Sequence, residues 1–166
     1  MAQSSTTRSY ASPSPLPEEA RQRVAAALNE RLADGLDLWT QVKVAHWNIK
    51  GPHFAGLHPL FETFAVDLAN RNDEIAERAV TLGALAYGTA RHVAGRSRIA
   101  EYPQETTRDL EHVKLLADRF ETYLEGVRDS RRVAEEAKDI DTVDLLTETI
   151  STFEKHTWFL RASLER

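Results

Sequence analysis

The sequence predicts an all-α fold: four long helices with a long crossover between the second and the third. Three observations carry that reading. Apolar residues recur at helical spacing in four stretches, no stretch shows the alternation of a half-buried strand, and the Gly and Pro breaks fall between the periodic stretches.

Residues 1–17 are rich in Ser, Thr and Pro with almost nothing to bury, and read as a flexible tail ahead of one domain over 18–166. Pro17 followed by Glu18 and Glu19 marks a helix start, with acids at the positive end of the dipole. Leu28, Leu32, Leu36, Trp39 and Val42 continue at helical spacing to about Ile49, where Gly51-Pro52 breaks the helix. A second helix is expected from about His58 to Leu82, stopped by Gly83. Pro59 falls in its first turn, where an amide has no intrahelical partner to lose.

Residues 84–106 carry Gly88, Gly95 and Pro103 and read as the crossover, with one short helix around Thr89–Ala94. A third helix spans about Thr107–Lys138, with Val113, Leu116, Phe120, Leu124 and Val127, preceded by Leu110, as its apolar side. After Asp139-Ile140-Asp141, a fourth helix capped by Asp141 or Thr142 runs to about Leu164. Two helices, a long crossover and two more helices make a ferritin-like four-helix bundle.

Composition narrows the function. The chain has 166 residues, one domain's length, with an ordinary soluble balance of 42% hydrophobic and 28% charged residues. Its net charge of −5 offers no general cationic field for nucleic acid. No cysteine is present, which excludes disulfides, thiolate metal sites and Cys nucleophiles. No long apolar run or charged-then-apolar leader is seen, so the expectation is a soluble, cytoplasmic protein with no membrane partner.

The second helix carries the chemistry. On a helical wheel Phe61, Phe64, Leu68, Ile75, Ala79 and Leu82 form one stripe, expected to face the core. Thr63, Asp67, Asn70, Arg71, Glu74, Arg78 and Thr81 lie on the far side, expected to face water. Between them runs a third strip of His58, Glu62, Asp73 and Glu77 among Ala69, Ala76 and Val80. Such a strip suits neither a core nor a surface, and suggests a subunit contact that holds metal.

His58 and Glu62 are i,i+4 neighbours, as are Asp73 and Glu77, so either pair can grip a metal from one face. The pairs lie about 16 Å apart along the axis, too far for one chain to close one site. An antiparallel copy can, if a two-fold axis passes near Asp67 and Leu68, giving two identical sites per dimer. His46, near the end of the first helix, adds a second imidazole. Mixed imidazole and carboxylate donors suit Fe(II), Mn(II) or Zn(II). The competing reading is that these are ordinary solvated-face pairs. A di-iron site inside the bundle needs Glu-x-x-His on two helices, and the chain contains none.

The run His46-Trp47-Asn48-Ile49-Lys50-Gly51, then Phe54, Leu57-His58 and Asp73 to Gly83 (DEIAERAVTLG), resembles the Dps family. Asp139–Leu145 (DIDTVDL) and Trp158-Phe159 extend the likeness, which covers nearly the whole chain from about Arg21. The resemblance implies a ferroxidase centre with His46, His58 and Glu62 from one subunit and Asp73 and Glu77 from its two-fold mate. The family usually has Asp where this chain has Glu62, one methylene longer. It further implies a hollow dodecamer built from two-fold dimers, oxidation of Fe(II) preferably by hydrogen peroxide, and storage of Fe(III) mineral that protects against oxidative damage.

Asp139 and Asp144 match family positions lining an acidic three-fold pore for iron, against the plainer reading as helix-end residues. Trp47 can serve as an electron donor, though packing is the simpler role, and Trp39 and Trp158 are assigned to packing. His53, His92, His112 and His156 show no acid partner pattern and are left out of the site.

DNA-binding members use Lys/Arg-rich tails, because phosphate contacts dominate such affinity. Here residues 1–17 hold one basic residue, Arg8, and no tail follows the last helix, so DNA binding is expected to be weak or absent. The alternatives are a DNA-compacting, nucleoid-associated shell with little ferroxidase activity, disfavoured by tail charge, and a metal-free helical interaction module.

Overall fold

The computed structural model describes residues 9–165. Its elements are α1 (Glu18–Asn48), α2 (Phe54–Thr81), α3 (Ala90–Arg96), α4 (Asp109–Glu136) and α5 (Ile140–Ala162). No strand occurs among the described residues; the only bridge pairs Lys50 with Arg108. Among the described residues no helix is long and apolar enough to cross a membrane.

α1 packs against α2 and α4, and α5 against α4 and α2. The apolar stripe of α2 is buried as its period requires, with Phe61, Phe64, Leu68 and Ile75 fully enclosed. Facing them are Phe120, Tyr123 and Phe153, with Phe64 edge-on to Phe120 at 5.6 Å and Phe120 stacked on Phe153 at 5.7 Å. Each such ring contributes about 1.5–3 kcal/mol by leaving water.

The crossover brings the start of α4 beside the end of α1: Lys50 N–H donates to Thr107 O and Asp109 N–H to Lys50 O. Helix side chains meet its backbone polar groups, as buried amides and carbonyls require. Gln41 donates to Ala100 O, Arg119 to Glu101 O, and Asp34 accepts from the Arg98 amide at 2.8 Å.

Several boundaries differ from the sequence expectation. α2 starts at Phe54, one turn before His58, so Pro59 stands in the second turn and has no amide to offer Ala55 O. α4 starts at Asp109 and the short helix spans Ala90–Arg96. The cap of α5 is Asp139, not Asp141 or Thr142, because its carboxylate accepts from the Thr142 amide.

The described part of residues 1–17 is tied down. α2 ends with free carbonyls, and Ser12 Oγ donates to Thr81 O, Arg21 Nη1 to Leu82 O and Tyr10 N–H to Gly83 O. Residues 1–8, including Arg8, lie outside the described residues.

Two surface assignments also change. Asp67, Arg71 and Arg78 are half-buried and face α5 rather than water, pairing with His156, Glu148 and Asp139. Trp158 is 63% exposed and so not packed within one chain, whereas Trp39, 36% exposed, is mostly covered.

Candidate metal centre

The α1–α2 turn sets the geometry of the imidazoles. Gly51 has φ +139°, and a Cβ there would lie 2.5 Å from the Asp109 carboxylate. Asp109 Oδ2 accepts from the His53 backbone amide at 2.9 Å and from His53 Nδ1 at 2.8 Å. These donors hold the Asp109 carboxyl below its ordinary value, the backbone bond contributing most. The lock puts the last turn of α1 against the second turn of α2, and so His46 against His58.

The two histidines are bonded reciprocally. His46 Nδ1 lies 2.9 Å from His58 O, His58 Nδ1 lies 3.0 Å from His46 O, and the rings stack at 3.8 Å. His46 O is available because the last carbonyls of a helix lack an i+4 amide. A carbonyl only accepts, so each Nδ1 carries a proton, and in the neutral ring Nε2 is the atom left to bind a metal. Fixing the tautomer from outside in this way is how proteins orient imidazole ligands for metal.

Glu62 completes the near half of the site. Its Oε2 lies 3.4 Å from His46 Nε2 and 2.5 Å from Lys43 Nζ. The Lys43 hydrogen bond holds the Glu62 carboxyl below its ordinary value, so it is ionised at neutral pH. His46, His58 and Glu62 line one surface groove that runs on past Val66 to Asp67.

Asp73 and Glu77 lie farther along α2, exposed and without a side-chain hydrogen bond or ion pair among the described residues. Eleven residues at about 1.5 Å each separate Asp73 from Glu62. Within one chain, no three His, Asp or Glu among the described residues form a group able to hold a metal ion. Val66 and Val80, 49% and 52% exposed, flank these residues.

Comparison with known proteins assigns the family. A model of the ferritin-like domain family, "Ferritin", matches residues 25–166. A DNA protection during starvation protein of Agrobacterium fabrum is 36% identical over 150 residues, covering 90% of this chain and 93% of that one. The chain belongs to the Dps proteins of the ferritin-like family. The Dps protein of Vibrio cholerae, described as one of the ferritin-like diiron-carboxylate proteins, superposes with TM-score 0.86 at 32% identity, covering 90% of this chain and 94% of that one. DpsC of Streptomyces coelicolor superposes with TM-score 0.91 at 30% identity, covering 95% and 92%.

The remaining candidates of this Dps chain fall in different places. Asp139 is 3% exposed, with Oδ1 2.6 Å from Arg78 Nη2 and Oδ2 2.6 Å from Thr142 Oγ1. Its carboxylate is therefore engaged inside the chain as a cap and ion pair. Asp144 is exposed on α5, and Trp47 is 66% exposed with Lys43 Nζ 5.8 Å from its ring.

Three partners escaped the sequence. Lys43 is one turn before His46, a spacing that could have flagged it. His53 pairs with Asp109, and His156 Nε2 lies 2.7 Å from Asp67 Oδ2, across 89 residues of chain. No local pattern marks contacts of that kind.

Proposed function

We propose that this Dps chain is a miniferritin: it oxidises Fe(II) at centres shared between two-fold mates and stores the Fe(III) product inside a hollow dodecamer. The observation that carries this reading is the reciprocal bonding of His46 and His58, which leaves each Nε2 as the ring atom able to bind metal, with His46 Nε2 3.4 Å from the ionised Glu62. Asp73 and Glu77 of the mate close the site, since an antiparallel copy of α2 aligns them with His58 and Glu62.

Iron is the substrate. Two Fe(II) each give one electron to hydrogen peroxide; its O–O bond breaks, and with water the product is ferric oxyhydroxide plus protons. Taking both electrons together releases no hydroxyl radical. The chain binds the irons through imidazole and carboxylate, holds the imidazole protons on Nδ1, and surrounds the site with negative charge that retains Fe(III). The same donors accept Zn(II) or Mn(II) when iron is scarce. Asp144, exposed on α5, is assigned to an acidic pore where iron enters, while Asp139 is assigned to the cap.

The test is an anaerobic Fe(II) titration of the size-fractionated protein, followed by peroxide or oxygen while ferric absorbance is recorded. A large particle with a burst that saturates at about two Fe(II) per centre, faster with peroxide, is the expected result. A particle no faster than buffer refutes the ferroxidase reading, and a monomer refutes the shell.

DNA binding is expected to be negligible because Arg8 alone supplies positive charge in residues 1–17. A gel shift at about 150 mM salt should show free DNA at all protein concentrations tested. A retarded complex that disappears on deletion of residues 1–17 would refute this.

A further inference from the structure

We propose that Tyr102, hydrogen-bonded to the buried His112, is a redox-active tyrosine that supplies one electron when a lone Fe(II) reacts with peroxide. The source of the oxidant rests on the proposed ferroxidase function. Peroxide takes two electrons, and a centre holding a single Fe(II) supplies one. Hydroxyl radical is then the second product, and it attacks whatever it meets unless an electron is delivered to it.

The four tyrosines of the chain differ in where a phenol proton can go. A phenol that has lost an electron is strongly acidic, so its oxidation is favoured where a base stands at its oxygen. Tyr10 and Tyr87 are 45% and 42% exposed, and their hydroxyls meet no base among the described residues. Tyr123 is fully buried with its hydroxyl unpartnered. Tyr102 is buried too, but its hydroxyl lies 2.6 Å from His112 Nδ1.

The pair is set for the proton to move one way. His112 is fully buried, which lowers its pKa against the pull of Glu111 and Asp109, so the ring is neutral at neutral pH. Burial raises the pKa of the Tyr102 hydroxyl, so the resting proton is on oxygen. With the phenol donating to Nδ1, Nε2–H alone lacks a partner. The other tautomer would strand both the phenol proton and the Nε2 lone pair, two losses instead of one. Nδ1 therefore offers a lone pair to the phenol O–H. The rings are 9° from parallel, and Arg119, 5.1 Å from the Tyr102 ring, favours loss of the phenol proton. Glu111 and Asp109 favour the imidazolium that forms.

The fold places this pair near the centre. Lys50, one turn after His46, is bonded to Thr107 and Asp109, and His112 follows Asp109 by one turn of α4. That route is on the order of 15 Å long. One Fe(II) and peroxide give Fe(III), hydroxide and hydroxyl radical. Tyr102 passes one electron to the radical, which becomes hydroxide. The phenol proton shifts to Nδ1, leaving a neutral tyrosyl radical beside an imidazolium. The next Fe(II) returns an electron, the proton goes back, and two Fe(II) have reduced one peroxide.

The experiment gives assembled shells about one Fe(II) per ten centres, so that the reacting irons are unpaired, then excess peroxide and rapid freezing. Electron paramagnetic resonance should show a tyrosyl radical whose splitting collapses with ring-deuterated tyrosine. Tyr102→Phe should lose it, and Tyr10→Phe, Tyr87→Phe and Tyr123→Phe should keep it. His112→Gln, whose amide oxygen accepts from the phenol but takes no proton, should lower it at least about tenfold. Iron-free shells treated with photogenerated tris(bipyridine)ruthenium(III), a one-electron oxidant, should form the same radical about two- to threefold more slowly in D2O. A radical that persists in Tyr102→Phe or sits on Trp47 would overturn the proposal, as would wild-type yield in His112→Gln. A radical with ruthenium alone, in shells that oxidise paired Fe(II), would overturn the role of Tyr102 in the iron reaction. If the shells oxidise no iron, the ferroxidase function fails, and the ruthenium experiment decides whether Tyr102 and His112 form a redox pair.

Discussion

Shells of His46→Ala and of Asp73→Ala should each lose the fast oxidation of Fe(II), and shells reassembled from an equal mixture of the two should regain about a quarter of the wild-type burst. The fraction follows from two-fold symmetry. Random pairing makes half of the dimers mixed. Each mixed dimer has one centre with His46 from the Asp73→Ala chain and Asp73 from the His46→Ala chain, which is intact. Its other centre lacks both ligands. Stopped-flow ferric absorbance on the parents and the mixture checks the prediction. A mixture as inactive as its parents would mean that the ligands belong to one chain. The reasoning rests on His46 lying against Glu62, with Asp73 eleven residues farther along the same helix.

Asp34→Ala should cost about 3–5 kcal/mol of stability, because it removes the buried counter-ion of Arg31 and leaves only the exposed Glu30, 3.5 Å away. Asp34 is fully buried and Arg31 2% exposed, with Arg31 Nη2 3.3 Å from Asp34 Oδ2. Burial lowers the Arg31 pKa, with Asp34 opposing it and Arg98 adding to it. Arg98 Nη2 lies 3.2 Å from the same oxygen, so removing Asp34 leaves two guanidiniums facing each other. Both lie close over Gly126, the position where a Cβ would meet them. The crossover also loses its anchor, since Asp34 Oδ1 accepts from the Arg98 amide. Urea unfolding at fixed protein concentration measures the effect. The double variant Arg31→Met, Asp34→Leu should recover most of the loss, as replacing a whole buried pair by apolar side chains often does. A loss below about 1 kcal/mol in Asp34→Ala would show that water reaches Arg31 and solvates it.

The sequence by itself determined the all-α architecture and the helix count. Helical period and Gly/Pro breaks are local signals, and burying Phe61, Phe64, Leu68 and Ile75 on one face needs only that period. The candidate ligands were proposed from signals of the same local kind, i,i+4 pairs and a family motif within a few turns. Tertiary structure decided what depends on residues distant in the chain. The tautomers of His46 and His58 follow from carbonyls across the α1–α2 turn, and the anchoring of residues 9–17 follows from the open end of α2. That Asp139, a pore candidate by sequence, caps α5 and pairs with Arg78, 61 residues away, is likewise visible only in the fold. His156 became the partner of Asp67 because α5 lies along α2. No spacing rule reports such contacts, since chain closure over long loops depends on the packing of the whole bundle rather than on any local pattern.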